Sequence, residues 1–441
     1  MHALILVTIC CSTVLEFAVS LGAPSLLKLV PELLSAVLAV FVLLEGVRGG
    51  FSRISLRYWI VFGLAAYVLV SSAIANNVGS GPVINGSRFY LRAIPLFFAA
   101  AVVSFNEKQL QQQMKLVLAI GLLQLPVTAL QRYVIFSAGR YSGDDVRGTV
   151  LDSGILSLFL IGIVLVLIGF YMRRRLTTPR LALLFLILLL PTTINETKVT
   201  VLLLPLGLLA TIVAGAPRGR RLRMLALGVA LTCVFGAILV PVYDFFETNS
   251  PWKNERSLVD FFTNPHKIDR YMEHSQPASL ADTRDVRRED AYRIPFEYMS
   301  RDPIRLILGL GPGSVSDSTL GKGFVGRYHD LLGPFAITSF STFLMEIGVL
   351  GTAAVFLIYW LVLSDSLAVA RTDCGVLGAI AVGWIGVTIM MAAGMFYTQT
   401  HGYPSVSYLF WYFSGLIAAR RTQLAYSART EALPAPSARA A

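Results

Sequence analysis

The sequence predicts an all-α polytopic membrane protein, with roughly twelve transmembrane helices and one large polar loop, and three observations carry that prediction. Hydrophobic residues make up 55% of the 441 and charged residues only 14%, a balance that points to a membrane chain instead of several soluble domains. Apolar runs close to the ~20 residues that cross a ~30 Å hydrocarbon core recur along the chain. The excess of 37 Lys+Arg over 26 Asp+Glu sits mostly in short connections and the C-terminal tail, so the basic balance reports orientation in a bilayer before it reports a partner.

The first apolar run is Ala3 to Gly22. Ala18-Val19-Ser20 has the small residues of a weak cleavage site, but no basic n-region precedes the run, and a retained first helix is expected. Leu27 to Leu44, Tyr58 to Ala75, Ala93 to Phe105, Leu116 to Phe136 and Ile155 to Met172 follow. Leu181 to Pro191 and Val199 to Ala214 are shorter and are joined by the turn TTINETK. Met224 to Val242 then leads into a long polar stretch, and Ala336 to Leu363, Val376 to Tyr397 and Ser405 to Ala419 complete the spans. Residues 1–242 therefore hold nine expected spans, 243–335 the large loop, 336–421 three more spans, and 422–441 an Ala/Pro/Ser-rich tail that reads as disordered. No repeat of fixed period and no inverted pair of broken helices is found.

Orientation follows from the basic connections. Arg48, Arg53 and Arg57, then Arg173 to Arg175 with Arg180, then Arg218 to Arg223, and finally Arg420 and Arg421 all fall on one face when twelve spans are threaded, and that face is the cytoplasmic one. Both termini lie there. The large loop falls on the opposite face with Asn76 to Arg92, Ser137 to Gly154, the TTINETK turn and Thr398 to Pro404. The basic runs lack interleaved aromatics, which argues against a nucleic-acid partner. Cys10, Cys11, Cys233 and Cys374 offer neither a disulfide framework nor metal-ligand spacing.

Chemistry is sought on the face that carries the loop. In GRYSGDDVRGTVLDSG, Arg140 and Arg147 flank Asp144 and Asp145 beside two glycines; the arginines are either an anion site, since guanidinium binds phosphate bidentately, or partners of those carboxylates in a solvated turn. Lys198 opens an apolar run two residues after Glu196. A charge there either snorkels to the interface or lines a cavity at the break between two short spans. Within the loop, Arg284 and Arg288 share one face of an expected helix, with Arg287 adjacent and Glu289 and Asp290 as alternative surface partners. ILGLGPGS is half of a dinucleotide fingerprint, but Pro312 interrupts it and no strand-turn-helix unit surrounds it, leaving a tight glycine turn. His329, beside Arg327 and Asp330, is either a structural histidine or a general base.

The order of these features resembles the O-antigen ligase and polymerase superfamily of bacterial envelope enzymes. The resemblance covers roughly residues 140–351 and rests on order and spacing. Arg147-Gly148-Thr149 is similar to the family's arginine-glycine segment before a span. Thr197-Lys198 is similar to its small polar residue and Arg, with Lys here in place of Arg. Arg288, Tyr292, Pro303 and Gly309-Leu310-Gly311 are similar to its loop arginine, aromatic, proline and Gly-x-Gly turn, and Glu346, Gly348 and Gly351 to its closing carboxylate and glycines. The chain departs from the family where a His-Asn pair is common: Ile337, Thr338 and Ser339 stand there, and His329 lies farther upstream.

The resemblance implies a metal-independent glycosyltransferase without a cofactor, in the bacterial inner membrane, acting at the periplasmic face. It implies a polyprenyl-diphosphate-linked glycan donor, a glycan acceptor, surrounding membrane lipids and room for a chain-length regulator as partner. Arg147, Lys198 and Arg288, with Arg140 and Arg284, would stabilise the leaving diphosphate. His329, or a carboxylate among Glu289, Asp290 and Asp330, would accept the acceptor hydroxyl's proton. Polymerisation of lipid-linked repeats is the expected reaction. Ligation of glycan to lipid A core is the alternative within the class, and a polysaccharide flippase the alternative outside it, disfavoured by the large exterior loop and the scarcity of mid-span charge.

Overall fold

The computed structural model describes residues 1–136, 145–195, 197–216, 219, 221–248, 263–264 and 288–432. Among these residues the chain is helical and has no strand. The first five helices are α1 (His2–Ser20), α2 (Val30–Val47), α3 (Leu56–Ala75), α4 (Ser80–Leu91) and α5 (Ile94–Val102). Next come α6 (Glu107–Leu130), extended by a π turn at Gln131–Ile135, then α7 (Ser153–Met172), α8 (Thr178–Ile194), α9 (Val199–Gly215) and α10 (Arg221–Thr248). Beyond these lie the short helices α11 (Asp290–Ser300), α12 (Pro303–Leu308) and α13 (His329–Leu332), then α14 (Ser339–Thr372), α15 (Val376–Gly394) and α16 (Pro404–Ala432).

Among the described residues, eight helices are long and apolar enough to cross a membrane: α1, α2 with the 3-10 turn before it, α3, α6, α7, α10, α14 and α15. Two further apolar helices, α8 and α9, have 17 residues each. The run expected at Ala93 to Phe105 forms only the nine-residue α5, about 14 Å of rise against a ~30 Å core. The polar stretch before it, read as a connection, folds as α4, because Asn85 and Gly86 are buried against the loop of Pro312, Gly313 and Asp317. Of the expected disordered tail 422–441, residues 422–432 instead continue α16 through a stretch that includes the helix formers Gln, Leu, Ala and Arg; residues 433–441 lie outside the described residues.

Burial sets the architecture. In α7 and α15, 78% of the apolar window is enclosed by protein, against 17% in α10 and 22% in α2 and α3, so α7 and α15, with the wholly buried residues 404–419 of α16, form the centre, and α2, α3 and α10 lie at its rim. The two central helices approach through Gly169 and Gly383, where a Cβ would meet the backbone of Ala379 and of Leu165 and Val166 respectively. At one end of the bundle the arginines converge on the C-terminal half of α14. Arg57 and the Tyr58 hydroxyl (2.8 Å) both bind the buried Asp365. Arg173 donates to Ala370 O, Arg175 to Glu107 at 2.8 Å, and Arg420 to Asp373 at 2.6 Å.

At the other end α14 is broken. Gly348 takes φ 64° and ψ −169° inside the helix, a conformation natural only to glycine. The break frees carbonyls that cannot be left bare. Met345 O accepts from Leu310 N at 2.7 Å, and Glu346 O accepts from Gly311 N at 2.9 Å and from Ser72 Oγ at 3.1 Å. The Gly309-Leu310-Gly311 turn can come so close because Gly309 and Gly311 have φ of 80° and 98°. The fully buried Glu346 side chain completes the joint: Oε1 accepts from Val315 N (3.3 Å), Ser316 N (3.1 Å) and Ser316 Oγ (2.7 Å), and Oε2 from Tyr90 OH at 3.0 Å. Above it, Ile294, Met299, Leu310, Val315, Leu332 and Phe335 form a second apolar cluster that shares Leu344 and Met345 with α14. The described part of the loop is therefore welded to a span.

A methyl group at Gly348 would strike the backbone of Ile307 and Gly309 at a positive φ. The Gly348→Ala variant is expected to lose at least about 2 kcal/mol, read as a lowered unfolding midpoint in detergent. Gly63→Ala, where the added atom meets nothing, leaves the midpoint unchanged.

Candidate functional site

The connection between α15 and α16, Met395 to Tyr403, is the platform of the site. Its carbonyls serve as acceptors one after another: Met395 O for Phe340 N at 3.0 Å, Phe396 O for the Tyr292 hydroxyl, Tyr397 O for Arg288 Nη1 at 2.6 Å, Thr398 O for Ser339 N at 3.1 Å and Gly402 O for Arg92. Arg288 also lies over the Tyr397 ring, 4.0 Å from its centroid, a cation–π contact that holds the guanidinium without cancelling its charge. Arg288 and Glu289 form the turn into α11 and are not part of a helix, so the helical face expected for Arg284 and Arg288 does not apply at Arg288. Arg284 and Arg287 lie outside the described residues. Burial raises the pKa of Tyr292, which keeps its hydroxyl a donor.

The N-terminus of α7 stands against this platform. Gly154 faces the Tyr397 ring, where a Cβ would lie 3.3 Å from it. Asp152 caps α7 by accepting from Ile155 N at 2.9 Å. Asn195, fully buried, donates to Ser153 O at 3.1 Å, which brings the following Thr197 and Lys198 to the same helix end. On the other flank, the Arg147-Gly148-Thr149 turn is held by two glutamines. Gln131 Oε1 accepts from Arg147 N (3.1 Å) and Gly148 N (2.7 Å), and Gln124 Oε1 accepts from Thr149 N at 2.8 Å. The two are seven residues apart, about two helical turns, and share one face. Arg147 is exposed and lies 3.5 Å from Asp145. Burial raises the Tyr403 pKa to about 12, reinforced by Asp152 and Glu16 and opposed by Arg147, so Tyr403 lies within the field of the Arg147 turn.

Three of the expected cations, Arg147, Lys198 and Arg288, thus come from separate segments to the surroundings of one helix end. Arg140 lies outside the described residues, as does Glu196. His329 belongs to the joint at Glu346. Its Nδ1 is 3.2 Å from Val315 O, and because a carbonyl only accepts, this contact places the proton on Nδ1 and leaves Nε2 as an acceptor. Among the candidate carboxylates, Glu289 and Asp330 are exposed, whereas Asp290 is buried, bonded through Oδ1 to Arg293 at 3.0 Å, with no hydrogen-bond partner for Oδ2. Among the described residues no three His, Cys, Asp or Glu side chains stand close enough to hold a metal ion.

Sequence reasoning missed the platform itself, the glutamine pair and His401. The His401 ring lies against Phe343 and Tyr359, with Nδ1 3.2 Å from Thr400 Oγ1 and Nε2 3.4 Å from the Tyr359 hydroxyl. Its backbone N donates to Ser339 Oγ at 3.3 Å, so a histidine stands beside the position where the resemblance departs. A scan against protein-family models finds no match for this chain, and a search of curated proteins returns none.

Desolvation lowers the His401 pKa to about 3. A histidine kept neutral in the fold but protonated near 6.5 when unfolded contributes stability above pH 6.5 that is lost as pH falls. The unfolding midpoint of the wild-type chain in detergent is therefore expected to fall more steeply between pH 6.5 and pH 5 than that of His401→Gln; identical slopes would remove His401 from the protonation balance.

Proposed function

We propose that this chain polymerises polyprenyl-diphosphate-linked oligosaccharide repeats into cell-surface polysaccharide at the periplasmic face of the bacterial inner membrane. The observation that carries the reading is the convergence of Arg288, Lys198 and Arg147 around the N-terminus of α7. Three cations and a helix N-terminus suit a diphosphate leaving group, whose charge grows as the glycosidic bond breaks. Arg288 is the central residue, fixed from behind by the Tyr397 carbonyl and ring. The acceptor hydroxyl loses its proton to His329 Nε2 or to Asp290, whose Oδ2 is the buried acceptor nearest in sequence to Arg288.

The topology of the proposal is twelve crossings, with the arginine-rich end and both termini in the cytoplasm and residues 243–335 in the periplasm. Contacts at both of its ends support a crossing at the short α5. Arg92, just before it, binds Glu32 at 2.9 Å and Gly402 O at the site end, and Val102, its last residue, accepts from Arg53 at 3.0 Å at the arginine-rich end.

Deletion of the gene in its bacterium is expected to collapse long surface polysaccharide to single repeats on a gel. Intact polymer stranded on its lipid carrier would make the chain a ligase instead, and an unchanged pattern would return it to the transporter class. With the gene restored, Arg288→Ala is expected to lose at least about 100-fold of product at normal membrane abundance, and Arg288→Lys to fail to rescue it because a point charge does not reproduce the planar contact.

A further inference from the structure

Between α9 and α10, one turn below Lys198, lies a cavity of about 320 Å³. Its walls are mostly apolar, Val201, Leu204 and Pro205 from α9 and Phe235, Leu239 and Val240 from α10, with Thr232 of α10 and Thr263 also lining it. Its upper part is polar. Thr200 lines it, is fully buried, and its hydroxyl has no hydrogen-bond partner. The hydroxyl of Thr197, 5% exposed and on the other side of Lys198, is also without one. A buried threonine in a helix usually bonds the carbonyl one turn back, as Thr192 and Thr193 do here, and a hydroxyl left without a partner is destabilising. Two orphans flanking a cation at the start of a 17-residue helix are donors without an acceptor, at the place where the helix dipole favours an anion.

We propose that this cavity receives the first isoprene units of the donor's lipid chain, with the diphosphate seated at the N-terminus of α9 on Lys198 and the hydroxyls of Thr197 and Thr200. The assignment rests on the donor proposed above and adds where its lipid lies. A phosphate oxygen gives both hydroxyls the acceptor they lack. The apolar walls continue from there toward the bilayer centre, so the occupant is an anion joined directly to a hydrocarbon chain. Pro205 removes one helix hydrogen bond in the wall beside which the chain would pass. The same geometry orients the reacting end: with the isoprene units below the N-terminus of α9, the diphosphate reaches from Lys198 toward the N-terminus of α7 and Arg288, and the first sugar lies beyond it.

The test is binding of a long-chain polyprenyl phosphate to the purified full-length chain in detergent, which needs no turnover. Leu204→Trp, which fills the cavity, is expected to weaken binding about tenfold or more. Thr200→Val, which keeps the shape and removes the hydroxyl, is expected to weaken it about threefold to tenfold. Leu202→Trp, on the outward face at 61% exposure, leaves it unchanged. Wild-type affinity in both cavity variants overturns the assignment, as does equal competition by phosphatidylglycerol, which would make the cavity a site for bulk phospholipid. Thr200→Val decides the matter if Leu204→Trp does not fold. Tight binding that is lost in these variants, together with unchanged polysaccharide on deletion, would sink the polymerase and leave the lipid site standing.

Discussion

A bilayer offers no partner for a backbone carbonyl, and the structure turns on one place where a helix nevertheless opens. The break at Gly348 releases the carbonyls of Met345 and Glu346, and the chain answers with Leu310 N, Gly311 N and Ser72 Oγ. Everything above the joint inherits its position from this exchange. The glycine turn fixes α12, the Glu346 carboxylate fixes residues 315–316 and Tyr90, and the small apolar cluster fixes α11. Arg288, at the head of α11, is in turn placed against Tyr397. An arginine in a large polar loop becomes a rigid element only because its loop shares a core with a span.

The two ends of the bundle use charge differently. At the arginine-rich end cations such as Arg57 and Arg173 meet a carboxylate or a helix C-terminus, Asp365 and Ala370 O respectively, and the result is structural closure. At the opposite end the held cations are bound in part by groups that carry no charge: Arg288 by a carbonyl and a ring, Arg92 by Gly402 O as well as by Glu32. Such partners orient a guanidinium through contacts that carry no charge of their own. On the reading proposed above, a diphosphate would meet charge already in place and little reorganisation would be needed.

Spans were legible in the sequence because solvent enforces them: a run such as Ile155 to Met172 has no alternative to a buried helix. Of the candidate cations, Lys198 stands out because it opens an apolar run, whereas Arg147 and Arg288 lie in charged stretches and were singled out by the order of features along the chain. What the sequence hid is contact made through the main chain. The Met395–Tyr403 platform works through carbonyls, which every residue possesses, so its sequence carries no sign of the role. The glutamine pair Gln124 and Gln131 was hidden by its helix, where two polar residues two turns apart read as tolerated exceptions. Helix α4 was hidden by tertiary override: SGPVINGS is poor helix sequence, yet burial of Asn85 and Gly86 against the Pro312 loop selects it.

The bond between Arg57 and Asp365 joins residues 308 positions apart, and that separation has a meaning in time. A ribosome adding about 5–20 residues per second delivers Asp365 roughly 15 to 60 s after Arg57 has entered the membrane. Through that interval α3 must wait with a cation whose permanent partner does not yet exist. The early helices therefore form a provisional rim, and the arrival of α14 converts it into a bundle, closing the arginine-rich end and the Gly348 joint with a single helix.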